Sequence, residues 1–276
     1  MSDGYESDEV MWASGERDLK ILLDDIDNPQ DKTVLEIGCG VGRILKAALE
    51  QFKKVIGVDV SEKALAQAKR LITHKDDKLT LYRSNGYELG LVESSSVDVV
   101  YSFAALSSMP TDVMSAYLAE MHRVLKEDGV CRLQLYLGSE QSVKQDDTLH
   151  LRCYNSDCFK SGVERAGFSL KSVEELKLPL QVSFKEIGIG AVVVTLVRKS
   201  RASATPSEIS SALLPGGESR ECNEVTGKEL EYWMVLNYAH ELAKSGDIEK
   251  AKEALNFVSL HCKNTALDVG DLMERK

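Results

Sequence analysis

Three glycines at alternate positions separate an apolar run from an amphipathic run near the start of the sequence. Thr33–Ile37 is rich in Val, Leu and Ile and predicts a buried strand, and Arg43–Gln51 predicts the start of a helix. Gly38, Gly40 and Gly42 between them allow a sharp turn and let a ligand approach the backbone where a Cβ would block it. The first amides of the helix have no internal partner and face the same space. We therefore expect this turn to be the floor of a ligand pocket.

Two classes of ligand bind over such a turn, and the neighbouring residues favour one of them. Dinucleotide enzymes place a pyrophosphate at the helix N-terminus with a Gly-x-Gly-x-x-Gly pattern, but Arg43 stands at the position of the third glycine here. Glu36 precedes the first glycine by two residues. A carboxylate at that point suits a cationic ligand, such as a sulfonium or an amino group, better than a pyrophosphate. An NAD-linked dehydrogenase is therefore a distant alternative.

A second acid ends the next apolar run. Residues 54–60 are nearly all apolar, as in a parallel strand that is buried on both faces. Asp59 at the end of this run lies beside the glycine turn, where a carboxylate can accept hydrogen bonds from both ribose hydroxyls of a nucleoside. The alternative role of a helix N-cap fits Ser61 better, because an Ala-rich helix follows it. We therefore assign Asp59 to ligand binding.

The string Glu-Ile-Gly-Cys-Gly-Val-Gly at residues 36–42, together with Asp59, resembles motif I of the class I S-adenosylmethionine-dependent methyltransferases. The resemblance extends over about residues 32–198. It implies S-adenosyl-L-methionine as the cofactor and a methyltransferase as the activity. The cofactor-binding residues that it implies are Glu36, Gly38, Cys39, Gly40, Gly42, Asp59, Val60, Asn85, Gly86 and Ser102.

Within this resemblance the positions have different roles. Val60 would pack on the adenine. Asn85 stands where the family usually has an acid, and its carbonyl oxygen can accept the hydrogen bond of the adenine amino group, while the amide of Gly86 would reach a ring nitrogen. Asn-Gly is equally typical of a simple turn. The backbone at Gly38 and Ser102 would meet the amino-acid end of the cofactor.

The resemblance also implies an α/β fold, a Rossmann-like doubly wound sheet of seven strands in the order 3-2-1-4-5-7-6 with strand 7 antiparallel. The apolar patterns place the strands at residues 33–37, 54–60, 78–83, 97–103, 130–137, 168–176 and 189–197, with a helix at 111–127 and an irregular flap at 138–155. We divide the chain into an N-terminal lid helix (1–30), a methyltransferase domain (31–199), a flexible linker (200–228) and a C-terminal helical hairpin (229–276).

Two features of the ends of the chain leave alternatives open. Residues 14–17 interrupt the helical pattern of the N-terminal segment, so two short helices are expected to meet there. Trp12 and Arg17 either contact the ligand or are, respectively, a core residue and a solvated one. The hairpin resembles one tetratricopeptide unit, which cannot bury its own apolar face. It therefore docks on the core, binds a protein partner or self-associates through residues 229–262.

The composition and charge of the chain indicate which kinds of partner and which location are expected. The net charge of -10 and the pI of about 5.1 argue against a broad basic face, so nucleic acid is an unlikely partner. No apolar run reaches the ~20 residues of a membrane span, and the acidic start lacks the pattern of a secretory signal, so we expect a cytoplasmic protein. The six cysteines form no C-x-x-C pair, and His150, Cys153 and Cys158 fit no zinc pattern, so no metal is expected.

The sequence indicates the residues that would bind the acceptor less directly than those that would bind the cofactor. Methyl transfer needs mainly an acceptor atom held behind the methyl group, so no diagnostic catalytic residue is required. Tyr101, His150 and Tyr154 are the candidate bases, since residues 104–110 lack a His or an aromatic residue. The expected substrate is a small molecule. The alternatives are a protein or RNA acceptor recruited through the C-terminal helices, and a binding protein that has lost catalysis.

Overall fold

The computed structural model describes residues 7–72, 77–138, 152–176, 189–199, 204–215, 246 and 248–261. Its helices are α1 (Asp8–Leu23), α2 (Arg43–Gln51), α3 (Glu62–Leu71), α4 (Thr111–Val124), α5 (Ser156–Arg165), α6 (Pro206–Leu213) and α7 (Ile248–His261). Its strands are β1 (Thr33–Ile37), β2 (Lys54–Asp59), β3 (Leu79–Arg83), β4 (Val97–Ser102), β5 (Leu125–Gly138), β6 (Cys153–Asn155), β7 (Phe168–Glu175) and β8 (Ile189–Arg198).

The strand order confirms the predicted α/β fold. The described strands form one sheet in the order β3-β2-β1-β4-β5-β8-β7, in which β8 runs antiparallel to both β5 and β7. Short β6 pairs in parallel with the end of β5 and was not predicted, because it lies in the stretch interpreted as an irregular flap. The order changes direction between β1 and β4, so the carboxyl ends of these two strands form the crevice where such sheets bind ligands.

Each face of the sheet has its own apolar layer. One layer joins α4, α5 and α6 to the sheet and includes Leu118, Met121, Phe159, Leu133 and Leu213. The other layer joins α1 and α2 to the opposite face and includes Leu19, Leu22, Leu45, Val34 and Tyr101. The glycine turn connects β1 to α2, and α1 packs on the same face of the sheet as α2.

The prediction of a break in the N-terminal helix is wrong. Residues 14–17 continue α1 without interruption, and the hydroxyl of Ser14 donates to the carbonyl oxygen of Met11 at 2.7 Å. Gly15 is buried because α1 and α2 touch there: a Cβ built on Gly15 would lie 2.1 Å from the carbonyl oxygen of Arg43. The small residues that looked like a helix break are therefore the contact between the two helices.

Gly15→Ala is a direct test of this contact. Alanine normally stabilises a helix interior by about 1 kcal/mol relative to glycine, but here the new methyl group would force α1 away from α2. We expect a net destabilisation of about 1–3 kcal/mol, measured by urea unfolding. Ala13→Gly, at an exposed position of the same helix, is the control and should cost about 1 kcal/mol through propensity alone. A stabilising Gly15→Ala would contradict the packing.

Helix α4 is shorter than predicted. The helical pattern led us to extend it through residue 127, whereas it ends at Val124 and the strand begins at Leu125. Leu125 has an extended backbone (φ -67°, ψ 143°), is buried and lies opposite Val97. Burial of this leucine in the sheet prevails over the helical propensity of the polar residues that follow it.

The prediction of a flexible linker at 200–228 is wrong for the residues of α6. Thr205 and Glu208 form a capping box, in which the amide of Glu208 donates to the Thr205 hydroxyl at 3.4 Å and the amide of Thr205 donates to the Glu208 carboxylate at 2.7 Å. Ile209 and Leu213 are fully buried, and Leu213 fits against Gly162 of α5. A composition rich in Ser, Ala and Pro concealed this capped, packed helix.

Only part of the predicted hairpin can be compared with the structure. Helix α7 lies where its second helix was predicted, and Ala251 and Leu255 on it are buried. The first hairpin helix lies outside the described residues, and the division of the chain into four parts stays a prediction. In the part of the chain that the structure describes, no helix has the length and apolar character that a membrane crossing requires.

Candidate functional site

The glycine turn adopts the conformation that its sequence predicts. Gly38, Gly40 and Gly42 all have positive φ angles, of 75°, 53° and 83°. The amides of Gly38 and Cys39 both donate to the carbonyl oxygen of Val58, at 2.8 Å and 3.1 Å. The turn is therefore fixed to β2, and its shape requires residues that tolerate the left-handed region.

The three glycines differ in what surrounds them. A Cβ on Gly38 would lie 2.3 Å from the Cβ of Ala105, and a Cβ on Gly42 would lie 2.7 Å from the Cδ1 of Ile72. A Cβ on Gly40 would have no atom of the described part of the chain within 4 Å. Gly38 and Gly42 are therefore small for packing reasons, whereas Gly40 is the one of the three that faces open space.

Asp59 braces this turn from the end of β2. One carboxylate oxygen accepts a hydrogen bond from the amide of Gly40 at 2.8 Å, and the other accepts one from the amide of Ser61 at 2.8 Å. The predicted N-cap is confirmed, since the Ser61 hydroxyl accepts from the amide of Ala64 at 3.2 Å. Each carboxylate oxygen can accept a further hydrogen bond. Asp59 thus lies beside the open face of Gly40 with acceptor capacity left.

Glu36 is buried beneath the turn, with 3% of its surface exposed. Its carboxyl accepts a hydrogen bond from the Tyr101 hydroxyl at 3.1 Å, across the neighbouring strands β1 and β4. Burial raises the pKa of Glu36 to about 8, although Arg43 and the Tyr101 hydrogen bond lower it in part. At neutral pH the acid is therefore protonated, and a cation placed beside it would favour its ionised form.

Arg43 joins the glycine turn to α1. Its guanidinium lies 2.5 Å from a carboxylate oxygen of Asp18 and 3.5 Å from the hydroxyl of Ser14. It also lies over the ring of Phe103, 5.5 Å from the ring centroid. Arg43 is the first residue of α2. Through these contacts it links the glycine turn to α1 and to the residue that follows β4.

Comparison with known proteins identifies the domain. Residues 34–129 match the family model of a methyltransferase domain. The chain is 36% identical over 104 residues to an uncharacterized protein of Haemophilus influenzae, covering 37% of this chain and 41% of that protein. It is 26% identical over 141 residues to the N-terminal Xaa-Pro-Lys N-methyltransferase 1 of Xenopus tropicalis, covering 51% and 62%. Residues 34–129 of the chain are therefore similar to a methyltransferase domain. The cofactor of this family is S-adenosylmethionine.

A solved structure supports the same fold. The 1,6-didemethyltoxoflavin-N1-methyltransferase of Burkholderia thailandensis, with bound 1,6-didemethyltoxoflavin and S-adenosylhomocysteine, superposes with a TM-score of 0.51 at 19% identity. The alignment covers 70% of this chain and 80% of that one. The chain spans less than two thirds of either curated relative, 41% and 62% of their lengths.

Trp12 and Arg17 of α1 make contacts within the chain. The Arg17 side chain is 70% exposed and its Nε lies 3.2 Å from a carboxylate oxygen of Asp18. The ring of Trp12 is covered by the ammonium of Lys46, 4.0 Å from its centroid. These contacts favour the interpretation of both as structural residues.

The segment after β4 is held on several sides. Ala104 has a positive φ of 57°, and its amide donates to the side-chain oxygen of buried Gln134 at 3.0 Å. Farther along, the amide of Arg152 donates to the carbonyl oxygen of Ser107 at 2.7 Å, and the Arg152 guanidinium donates to that of Ser108. Non-glycine residues held in the left-handed region are concentrated at functional sites.

Sequence reasoning missed three residues that shape this site: Arg43, Gln134 and Arg152. Gln134 left a signal, since it is an amide between the apolar residues Leu133 and Leu135 of β5. Arg43 was used only to exclude a dinucleotide site. Arg152 left no signal, because its contacts join segments far apart in the sequence.

Two of the three candidate bases are unsuitable. Tyr101 and Tyr154 are fully buried, and His150 lies outside the described residues. Burial raises the pKa of Tyr101 well above its usual value and that of Tyr154 to about 12. Neither hydroxyl can take a proton from an acceptor. Among the described residues, no three His, Cys, Asp or Glu side chains are placed to hold a metal ion.

The residues assigned to adenine form a turn of their own. The side-chain oxygen of Asn85 accepts from the amides of Tyr87 and Glu88, both at 2.9 Å. The amide of Gly86 donates to the hydroxyl of Ser84 at 2.9 Å. The simple Asn-Gly turn is therefore what the chain forms here, and an adenine bonded to either group would have to replace one of these bonds.

The remaining predicted positions differ in accessibility. Val60 is 52% exposed beside the turn and offers an apolar surface to a base. Ser102 is fully buried, and its hydroxyl donates to the carbonyl oxygen of Ile37 at 2.9 Å. Cys39 is also buried, and burial raises the pKa of its thiol. The side chains of Ser102 and Cys39 thus support the turn, leaving only their backbone for a ligand.

Proposed function

We propose that this chain is an S-adenosylmethionine-dependent methyltransferase acting on a small-molecule acceptor. The observation that carries the proposal is the pair of carboxyl groups at the turn: Glu36 beneath it and Asp59 bonded to the amide of Gly40. A positively charged nucleoside over the open face of Gly40 would place its charge near Glu36 and its ribose near Asp59. The family of the domain supports the same cofactor.

The chemistry required of the chain is mainly positional. Bound S-adenosylmethionine supplies the methyl group on a sulfonium leaving group, and alignment of the acceptor behind it can contribute about 7–11 kcal/mol. The segment held by Gln134 and Arg152 would form a wall on the acceptor side. Since Tyr101 and Tyr154 are buried, we favour an acceptor that is nucleophilic as it binds, such as a neutral amine.

Calorimetric titration with S-adenosylhomocysteine tests the cofactor site. Asp59→Asn should weaken binding by about 10–100-fold, the size expected when hydrogen bonds to a carboxylate are weakened. Asp98→Asn is the matched control: Asp98 accepts from the amide of Thr33 and pairs with Lys126, and its change should leave the affinity intact. If the wild-type protein does not bind S-adenosylhomocysteine at all, the proposed function is wrong.

A macromolecular acceptor is the second candidate. It is supported by the similarity to a methyltransferase whose name gives an N-terminal Xaa-Pro-Lys acceptor. The discriminating variant should end after α6, because α6 belongs to the core and its removal would expose apolar surface. If a protein lacking residues 216–276 still methylates a small acceptor at the wild-type rate, recruitment through the C-terminal helices is not needed.

A cofactor-binding protein without catalysis is the third candidate. The local hydrogen bonds of Asn85 and the burial of both candidate tyrosines favour it. Binding of S-adenosylhomocysteine without methyl transfer to any of a wide panel of amines, thiols, peptides and RNA would support it. Transfer to any one acceptor would exclude it.

A further inference from the structure

Helix α1 contributes a buried charge to the edge of the cofactor turn. The side chain of Asp18 is only 4% exposed, and one of its oxygens lies 2.5 Å from the guanidinium of Arg43. The close contact at Gly15 holds α1 at this distance from α2. Among the described residues, Asp18 is therefore the anionic partner of Arg43, although it lies 25 residues earlier in the sequence.

Glu36 is surrounded by charged or titratable groups from every element packed around it. Arg43 of α2 attracts a negative charge on Glu36, whereas Asp59 at the end of β2 and Asp18 of α1 oppose it. From β4 the Tyr101 hydroxyl donates to Glu36, and from the turn the thiol of Cys39 interacts with it electrostatically. Among these groups in the described part of the chain, Arg43 is the one cation.

We propose that Asp18 is a positioning residue of the cofactor site. It holds the Arg43 guanidinium against α1 and so limits how far the positive charge of Arg43 favours the ionised form of Glu36 before a ligand binds. The proposal rests on the proposed function, because it makes the charge at the cofactor site depend on the N-terminal helix. With Arg43 engaged by Asp18, Glu36 keeps its proton in the empty site. A cationic ligand then displaces that proton, so that binding of the positive sulfur and ionisation of Glu36 occur together.

Two variants give opposite expected results. In Asp18→Asn the direct repulsion of Glu36 by Asp18 is lost and Arg43 is free to act on Glu36, so the pH at which Glu36 ionises should fall by at least about half a unit. In Arg43→Gln the cation is lost, and that pH should rise. Both variants break the same ion pair, so a merely structural role of Asp18 would move the two midpoints in the same direction or leave them unchanged. Either of those outcomes overturns the proposal.

The readout is the titration of Glu36 in the absence of ligand, followed by carbon NMR of labelled glutamate side chains or by the infrared carboxyl band. Glu36→Gln identifies the signal. Asp25→Asn is the control, since Asp25 pairs with Arg132 and not with Arg43; it removes an ion pair of the N-terminal segment and should leave the midpoint in place. Because titration needs no ligand, the result stands even where a variant binds cofactor poorly.

A second measurement compares affinities for S-adenosylmethionine and S-adenosylhomocysteine over the same pH range. The preference for the cationic compound should rise as Glu36 ionises, and the midpoint of this rise should move down in Asp18→Asn and up in Arg43→Gln. The midpoint is the quantity compared, because a change of charge alters affinity at every pH. If neither compound binds the wild type, the proposed function fails, whereas the ligand-free titration still decides how Asp18 acts on Glu36.

Discussion

Gly40→Ala is expected to lower the affinity for S-adenosylhomocysteine by more than about 100-fold, or about 3 kcal/mol, while the fold survives. The added Cβ has no neighbour within 4 Å among the residues that the structure describes, so these residues accommodate a methyl group there. Only the left-handed backbone, at a φ of 53°, opposes alanine, at a cost of about 1 kcal/mol. The methyl group would instead occupy the space in which the ligand must approach the backbone. Calorimetry and urea unfolding on one preparation measure both effects.

Gly38→Ala is the matched comparison, and it should lower the stability of the fold more than Gly40→Ala does. Here the built Cβ lies 2.3 Å from the Cβ of Ala105 at a φ of 75°, so the unfolding free energy should fall by about 2–4 kcal/mol. Normal affinity in Gly40→Ala would show that the open face of the turn is not where the cofactor binds.

Glu36→Gln is expected to make the ligand-free protein more stable than the wild type at alkaline pH, by on the order of 5 kcal/mol at about pH 9. Burial raises the pKa of Glu36 from 4.5 to about 8 in the folded protein. The contribution of this acid to stability is therefore fully present below about pH 4.5 and is lost as the pH rises through 8, since only the unfolded chain releases the proton over that interval. Glutamine has no proton to release, so it escapes this loss.

Chemical unfolding of both proteins at several pH values between about 5 and 9 measures the difference. Other titrating groups are common to the two proteins and cancel in the comparison. The difference should be smallest at the acidic end and grow with pH. Parallel stability curves would show that Glu36 is not a buried neutral acid in the free protein.

The glycine turn could be predicted from sequence because each of its requirements is local. Alternating glycines demand left-handed backbone, and an acid that directly follows a buried parallel strand reaches the carboxyl edge of the sheet. Gly40 and Asp59 are therefore found together, as expected. The partner of Arg43 could not be predicted in this way, because Asp18 reaches it only through the packing of α1 on α2. Gln134 and Ala104 are likewise joined only by the sheet.

The strand order was also predictable, whereas the ends of some elements were not. Apolar runs fix which segments are strands, and crossover rules then leave few topologies. The end of α4 depends on the burial of Leu125 opposite Val97, which no local pattern reveals. Residues 14–17 and α6 were misjudged for a shared reason. Small and polar residues were interpreted as a break and as a linker. In α1, however, Gly15 provides room for the contact with α2, and α6 packs its Leu213 against Gly162 of α5.

The contact between Gly38 and Ala105 has a consequence for redesign of the enzyme that we propose. The glycine turn and the segment after β4 touch so closely that neither can change volume alone. A graft that introduces a bulky side chain at position 105 to obtain a new acceptor specificity would push on the turn and disturb the cofactor. Engineering of selectivity should therefore retain a small side chain at that point and concentrate variation farther along the same segment.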